Sequence, residues 1–382
     1  MLIKRLTLKR ILSFDQTTVE LDKLNVLIGP NAVGKSNLIE AISLLQAAPN
    51  ALEVQILRGG GIRQWLWLGD REPTQVAEIE CELTLTRGPQ LGPLVYRLQF
   101  SDSGGFSILN ERLAKVGPVL GAEVYFYRSS NRVNFASNAA QPAEVPSNRS
   151  ILAQFKSPMD TTPATEVGNQ FAQIQIFREF RTGFNSQARH GISTNAPKDS
   201  LSEGADNLAL VLHQLDFLGA HDRIKEYLER FCDRFEDVKV DVGEGLARTF
   251  LREAGLSDML SGIRMSDGTL KFLCLLAVLF HPKPAPLVCI EEPELGLHPD
   301  ALRLVAEVLV EASERTQLII TTHSEALVDA LSDRPESVLV CERDFDNGTQ
   351  FKRLAQDELD EWLQHYTLGE LWRKGEIGGG RW

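Results

Sequence analysis

The apolar residues fall in short runs whose spacing changes several times along the chain. Leu2, Leu6 and Leu8 mark a first strand and Thr18–Leu21 a second. Leu24-Asn-Val-Leu-Ile28 is a compact run of the kind buried on both faces of a sheet. In 36–45 the apolar residues Leu38, Ile39, Ile42 and Leu45 have helical spacing. After Arg58-Gly-Gly-Gly61 and the tryptophans Trp65 and Trp67 the period becomes two. Segments 76–85, 94–100 and 123–127 predict antiparallel strands of a β-rich lobe. Residues 129–149, rich in Asn, Ser, Ala and Pro, predict a mobile loop. Helical spacing returns at 206–218 and 222–235, and 238–252 predicts a hairpin turning near Gly243 and Gly245. Helix 269–280, strand 287–291, helix 300–313, strand 317–321 and helix 324–331 then alternate, which predicts a parallel sheet covered by helices. Val338–Cys341 and Asp346-Asn-Gly348 predict a hairpin with an Asn-Gly turn. The expected fold is α/β. Its mostly parallel sheet is divided between 1–50 and 238–335, with a β lobe and helical region inserted at 51–237 and a hairpin and Trp-rich tail at 336–382.

Composition narrows the class. Of 382 residues, 52 are acidic and 40 basic, a net charge of −12. That excess counts against a surface that coats nucleic acid as a whole and leaves room for a local basic groove. The longest strongly apolar run, Phe272–Phe280, is about half of the roughly 20 residues that cross a bilayer. The first ten residues alternate charged and apolar side chains, so no secretion signal is expected. Cys81, Cys232, Cys274, Cys289 and Cys341 are scattered, without the spacing of a zinc site or a disulfide framework. A cytoplasmic protein is the expectation.

The chemistry begins at Gly29-Pro-Asn-Ala-Val-Gly-Lys-Ser36, a full match to G-x-x-x-x-G-K-S between a buried-type strand and a helix. Gly29 and Gly34 let the loop through Pro30, Asn31, Ala32 and Val33 curl so that its N–H groups point at phosphate oxygens. The helix that opens with Lys35, Ser36 and Asn37 adds its positive end. Lys35 is expected to reach the β- and γ-phosphates and Ser36 to ligate Mg²⁺. Leu287–Glu291 reads as a buried strand that delivers Glu291 and Glu292 to the carboxyl edge of a sheet. By position Glu291 supports Mg²⁺ and Glu292 orients or deprotonates the attacking water. Glu291 has one methylene more than the usual Asp, which suits a contact through water. Strand 317–321 leads to His323, whose imidazole can bond a γ-phosphate or the attacking water. Ser266 is a helix-cap residue and Gly268 permits close approach of a phosphate.

Together these motifs resemble the ATP-binding-cassette ATPases of the RecF/SMC branch, and more closely the stand-alone bacterial RecF-like ATPases related to the heads of overcoming-lysogenization nucleases. The resemblance is carried by Gly29–Asn37, Ser266–Thr269, Ile290-Glu-Glu-Pro-Glu-Leu-Gly-Leu-His-Pro299 and Thr321-Thr-His-Ser324. Gly204–Leu208, Leu368–Trp372 and the Gly-rich end through Trp382 extend it over most of the chain. It implies a P-loop NTPase head of ABC-ATPase type that hydrolyses ATP with Mg²⁺ and dimerises face to face on ATP. Ser266 and Gly268 of one copy then cap the γ-phosphate held by the other, and 295–299 cross the seam. It also implies a Mg²⁺-sensing glutamine from the inserted lobe, for which Gln154 is the candidate among several. Val33, Glu291 and the short Ser-Asp-Gly-Thr segment depart from the usual pattern and leave the hydrolysis rate open. No sustained heptads for a coiled coil are visible, and the segment after His323 is short for a nuclease domain. The implied role is control of a DNA-acting process such as repair or phage defence, with a separately encoded nuclease or other effector as partner and any DNA contact local or indirect. Two alternatives stay open: a nucleotide-gated scaffold with little turnover, and the ATPase subunit of a membrane transporter. Arg178, Arg181, Arg189 and His190 beside Phe177, Phe180 and Phe184 read as a solvated helix face and loop, with a nucleic-acid contact as the alternative. Trp362, Trp372 and Trp382 either dock a partner or pack back on the chain.

Overall fold

Strands β1 (Ile3–Ile11) and β2 (Phe14–Glu20) pair antiparallel, and β3 (Leu24–Ile28) follows with all five residues buried. These are the first elements of a computed structural model that describes residues 3–69, 75–85, 92–117, 123–135, 143–154, 162–344 and 346–379. Helix α1 (Lys35–Ala47) buries Leu38, Ile39, Ile42 and Leu45, the positions its spacing marked. Helices α2 (Leu52–Arg58) and α3 (Ile62–Trp65) lead into the antiparallel strands β4 (Val76–Leu83), β5 (Leu94–Asp102), β6 (Phe106–Lys115), β7 (Val124–Ser129), β8 (Arg132–Phe135) and β9 (Ala143–Glu144). Helices α4 (Ile151–Gln154) and α5 (Pro163–Ala172) close this stretch.

One sequence expectation is corrected here, and one strand had no sequence signal. Residues 129–149 are not one loop. The chain turns at Ser130, whose φ of 54° is left-handed, and β8 pairs with β7, burying Val133 completely. The turn residues are Ser and Asn, so nothing in the local sequence announces a hairpin. Strand β6 was hidden for another reason. Its core-facing positions include Glu111, which is fully buried, and a register shift opposite Gln99 and Phe100 breaks the alternation. A charged residue in a core position erases the period-two signal.

The next stretch begins with β10 (Gln175–Phe177), α6 (Gln187–His190), β11 (Ile192–Ser193), α7 (Leu208–Phe217) and α8 (His221–Phe231). Helix α8 ends short of the expected Phe235, which starts β12 (Phe235–Gly243); β12 turns through Glu244 and Gly245 into β13 (Leu246–Glu253). The short β14 (Leu260–Ser261) pairs with β13, as does β11. Helix α9 (Asp267–Leu279) carries the longest apolar run and buries every residue from Phe272 to Leu279. Strand β15 (Leu287–Glu291), helix α10 (Leu302–Ser313), strand β16 (Gln317–Thr321) and helix α11 (Glu325–Asp329) follow. The register of β10, β15 and β16 is parallel throughout.

Strands β17 (Val338–Asp344) and β18 (Gly348–Arg353) form the C-terminal hairpin, followed by α12 (Gln356–Leu363) and α13 (Leu368–Lys374). The chain divides into two compact units. The first comprises Met1–Ile174, Glu336–Glu361 and Leu371–Trp382. Its strands lie in the order β3-β17-β18-β2-β1-β4-β5-β6-β7-β8-β9, with β17 parallel to β3. The second comprises Gln175–Pro335 and Trp362–Glu370 and holds the parallel β10-β15-β16 layer and the small β11-β13-β12 sheet. Trp372 packs back on its own unit, its indole N–H donating to Gly379 O at 2.9 Å; Trp362 stays exposed near Tyr366, and Trp382 lies outside the described residues.

The β lobe of the first unit holds a buried polar network. Glu111 accepts from Tyr96 Oη (3.0 Å), Ser150 Oγ (2.6 Å) and the Ile151 N–H (2.8 Å), and it lies 4.0 Å from the guanidinium of Arg128. Both charged side chains are 0% exposed. Removing one partner of a buried pair strands the other in a poorly solvating interior. Glu111→Ala is expected to cost about 3–5 kcal/mol, and Glu111→Gln, which keeps one acceptor oxygen, clearly less. Denaturant unfolding of both variants measures this, and unchanged midpoints would contradict it.

Candidate functional site

Residues 29–37 lie in the first unit. Strand β3 is buried along its whole length, so the chain can present polar groups only after Ile28. Gly29 has φ 144°, and a Cβ there would stand 2.4 Å from Cys341 O on β17. Gly34 has φ 111°, and a Cβ there would stand 2.2 Å from Thr349 Oγ1 and 2.5 Å from Ser13 Oγ. Both positions combine a left-handed backbone with a close neighbour, so only glycine fits. Ala32 is also left-handed at φ 59°. Asn31, Ala32 and Ser36 are exposed, Pro30 and Asn37 are half-buried, and Val33 and Gly34 are buried. Gly34 supplies no side-chain cap to α1. Lys35 is 6% exposed, and its ammonium donates to Gly29 O and Pro30 O, each at 2.8 Å. A buried ammonium needs such acceptors, and here the loop itself provides them.

The motif reading did not anticipate the brace beneath this loop. Thr349 at the start of β18 donates its hydroxyl to Val33 O (2.5 Å) and lies 2.8 Å from Ser13 Oγ. Thr17 Oγ1 in turn donates to Thr349 O at 2.6 Å. The Asn347-Gly348 turn predicted the hairpin; that its next residue reaches the loop is a matter of the β3-β17-β18 order. Gln154 is exposed at the end of α4, in the same unit.

Glu291, Glu292, His323, Ser266 and Gly268 lie in the second unit. Along β15 the burial is complete until Glu291, which pairs with Thr321 of β16. Glu292 has a left-handed φ of 46°, and its N–H donates to Thr321 O at 2.9 Å. This sharp turn aims its carboxylate toward the end of β16, where Glu292 Oε1 stands 3.8 Å from His323 Nε2. Each side chain is about one-third exposed, so both reach solvent. A carboxylate and an imidazole so disposed can orient a water molecule and accept its proton. Glu294 ties the two segments together. Its Oε1 accepts from Thr322 Oγ1 (2.7 Å) and from the His323 N–H (2.8 Å). Its Oε2 is buried without a partner, and burial pushes its carboxyl above the usual carboxylate range.

Ser266 caps α9 by accepting the Thr269 N–H at 3.0 Å, as the Ser-x-Gly pattern predicted. Gly268 lies against the 295–297 turn, where a Cβ would be 3.0 Å from Gly296 O, and Lys271 Nζ donates to Leu295 O at 2.9 Å. Ser266 and Asp267 are exposed at the start of this helix.

The arginine cluster is not an open cationic patch: Arg181, Phe184 and His190 are exposed, as the solvated reading expected, and Arg189 is buried. Arg178 pairs with Glu291, Arg181 with Asp206, and Arg189 with Asp267. Arg181 also donates its N–H to Gly204 O, and Asn207 bonds Pro197 O, Ser200 O and the Ser202 N–H, so the Gly204–Leu208 motif is a packed corner. Acidic partners from distant stretches of sequence neutralise each guanidinium, and only the tertiary structure brings them there.

A phosphate loop on a buried strand, an acidic pair ending the parallel strand β15 and a histidine after β16 define a RecF/SMC-like P-loop ATPase head of the ABC type. The fold agrees with this class. The chain is similar to the structure of an Smc head bound to the C-winged-helix domain of ScpA, with a TM-score of 0.58 at 14% identity, covering 94% of this chain and 99% of that one. It is equally similar to an Smc head domain with an extended coiled coil from Pyrococcus furiosus, bound to the C-terminal domain of ScpA: TM-score 0.58, 14% identity, 95% and 98% covered. At such identity the likeness is one of fold. Residues 24–329 match the family described as "AAA domain, putative AbiEii toxin, Type IV TA system", and the chain belongs to that family. An 80-residue stretch is 38% identical to the Old nuclease of Escherichia phage P2, spanning 21% of this chain and 13% of that protein. Among the described residues, no helix is long and apolar enough to cross a membrane.

The Glu294 bridge has a testable pH signature. Because its carboxyl is raised in the folded state, its contribution to stability is complete below the ordinary carboxylate range and is lost as pH rises through the raised value. Glu294→Gln keeps an acceptor oxygen and cannot ionise, so its stability relative to wild type should improve with rising pH. Glu294→Ala loses both hydrogen bonds and should cost about 1–3 kcal/mol. Urea unfolding across a pH series measures both effects; parallel pH curves for wild type and Glu294→Gln would contradict the assignment.

Proposed function

We propose that this protein is an ATP-hydrolysing switch that closes as a head-to-head dimer on ATP and reopens on hydrolysis. The observation that carries the hydrolytic part is the Glu292–His323 pair, 3.8 Å apart at the ends of adjacent parallel strands. For the nucleotide, the left-handed Gly29, Ala32 and Gly34 curl the loop as a phosphate cradle requires, and α1 opens without a side-chain cap. The donors also suit Mg²⁺. Mg²⁺ is the cation that keeps waters and takes phosphate oxygens beside one or two carboxylates, which is the chemistry a Ser36 hydroxyl and a Glu291 carboxylate would offer.

In this reading the loop amides of Gly29–Gly34 and the first-turn residues Lys35, Ser36 and Asn37 hold the phosphates. Lys35 exchanges its two carbonyl acceptors for phosphate oxygens. Ser36 and Glu291 hold Mg²⁺, and Gln154, exposed at the end of α4, is the candidate that senses it. The metal supplies charge neutralisation on the phosphates. Glu292 takes the proton of the attacking water, and His323 orients that water or the γ-phosphate. Ser266, at the exposed start of α9, and the half-buried Gly268 cap the nucleotide of a second copy, with 295–299 at the seam. The output is control of a DNA-acting process, repair or phage defence, from the cytoplasm through a separately encoded nuclease or another effector. The local similarity to the phage P2 Old nuclease supports that direction.

Glu292→Gln should lower steady-state ATP turnover by roughly 10²–10⁴-fold, the range expected for loss of a general base. The same variant with ATP and Mg²⁺ should run as a larger species on size exclusion, and Lys35→Ala should not. Equal inactivity of wild type and Glu292→Gln, with and without DNA, would point to a nucleotide-gated scaffold instead. A single monomeric peak for every variant would remove the dimer. Co-purification with a membrane protein would favour a transporter subunit.

A further inference from the structure

Helix α13 stops at Gly375, whose φ of 81° is left-handed. The Gly375 N–H donates to Trp372 O and the Glu376 N–H to Leu371 O, each at 3.0 Å, a helix end that turns the chain back on itself. The returning segment goes inside, with Ile377 and Gly379 both buried. Two side chains fix it. Trp372, itself buried, donates its indole N–H to Gly379 O at 2.9 Å. Glu342 on β17 accepts the Gly379 N–H at 3.0 Å.

What this segment meets is the root of the phosphate loop, in the same unit. Strand β17 runs parallel to β3 with Val340 opposite Ile28, so the next residues, Cys341 and Gly29, share one strand-end edge. Gly379 lies on that edge. Its φ is 61°, and a Cβ there would stand 3.0 Å from Val340 Cγ1 and 3.3 Å from Gly29 Cα. At Gly378, with φ 82°, a Cβ would stand 2.5 Å from Glu342 Oε1 and push away the carboxylate that holds Gly379. Glycine at both positions is what lets the backbone come so close. Gly29 O is in turn one of the two acceptors of the Lys35 ammonium.

We propose that the segment Gly378-Gly379 is a clasp on the phosphate loop, with Trp372 and Glu342 as the positioning residues that keep it shut. The clasp holds Gly29, where strand becomes loop, in its curled form before a nucleotide arrives. A loop already held in its binding shape gives up less conformational freedom when the phosphates enter, so the clasp raises affinity. This rests on residues 29–37 being the nucleotide site, and it adds a property that reading lacks: a segment far downstream of the motif sets how tightly the motif binds.

The test is titration of the full chain with a fluorescent ATP analogue and Mg²⁺, read as a Kd and as the number of sites per chain. Trp372→Phe keeps an aromatic ring and removes the indole donor, and Gly379→Ala adds a methyl group at the Gly29 contact. Each should raise Kd by roughly two- to tenfold with the number of sites unchanged. Glu342→Ala should do the same, and Glu342→Gln, which keeps an acceptor oxygen, should stay near wild type. Lys35→Ala should abolish analogue binding. A wild-type Kd in both Trp372→Phe and Gly379→Ala overturns the clasp and leaves the nucleotide site standing. A loss of sites at unchanged Kd does so too, because it marks these residues as merely structural. Analogue binding that survives Lys35→Ala overturns the nucleotide site, and the clasp with it.

Discussion

A strand buried on both faces can carry a charged side chain only where it leaves the sheet, because an ionised group within it would lose its water without gaining a partner. Strands β3, β15 and β16 all obey this rule. The five residues of β3 are buried, and the phosphate loop starts at the next one. Burial along β15 relaxes only at Glu291, and β16 is buried to Thr321, two residues before His323. Parallel pairing of β15 with β16 then turns a rule about single strands into a site. It brings two carboxyl ends to the same edge, and with them Glu292 and His323.

Within each unit, the polar groups differ in how firmly they are held. Lys35, Thr349 and Ser13 form a closed set in which a buried ammonium and a hydroxyl both find loop carbonyls. Arg189 is anchored in the same way against the segment that precedes α9. Glu294 is held on one oxygen and unsatisfied on the other, so it joins the Glu292 turn to the His323 segment at the cost of a raised carboxyl. Glu292 and His323, the groups proposed to handle water, keep about a third of their surface exposed. Supports are buried and the proposed reacting groups are accessible, as the proposed hydrolysis requires.

Much of this was legible in the chain itself. The run Leu24–Ile28, the glycines at 29 and 34 and the helical spacing after them fixed strand, loop and helix with no other information. Strands 287–291 and 317–321 matched their apolar runs residue for residue, since a run bounded by Pro or Gln on one side and a charge or Thr on the other leaves little choice of register. Strand β6 escaped because Glu111 occupies a core position, and the β7–β8 hairpin escaped because Ser130 adopts a left-handed turn without glycine. Both are cases in which distant partners make an unlikely local choice stable.

Local pattern determined the elements, the phosphate loop and the acidic strand end, because each depends on neighbours a few residues apart. Tertiary structure alone decided what each charge meets. The sequence offers no reason for Arg178 to face Glu291, for Arg189 to hold the approach to α9, or for Thr349 to reach back more than three hundred residues to Ser13 and Val33. Those pairings follow from strand order and register, and a charge or hydroxyl takes its role from the partner that order supplies.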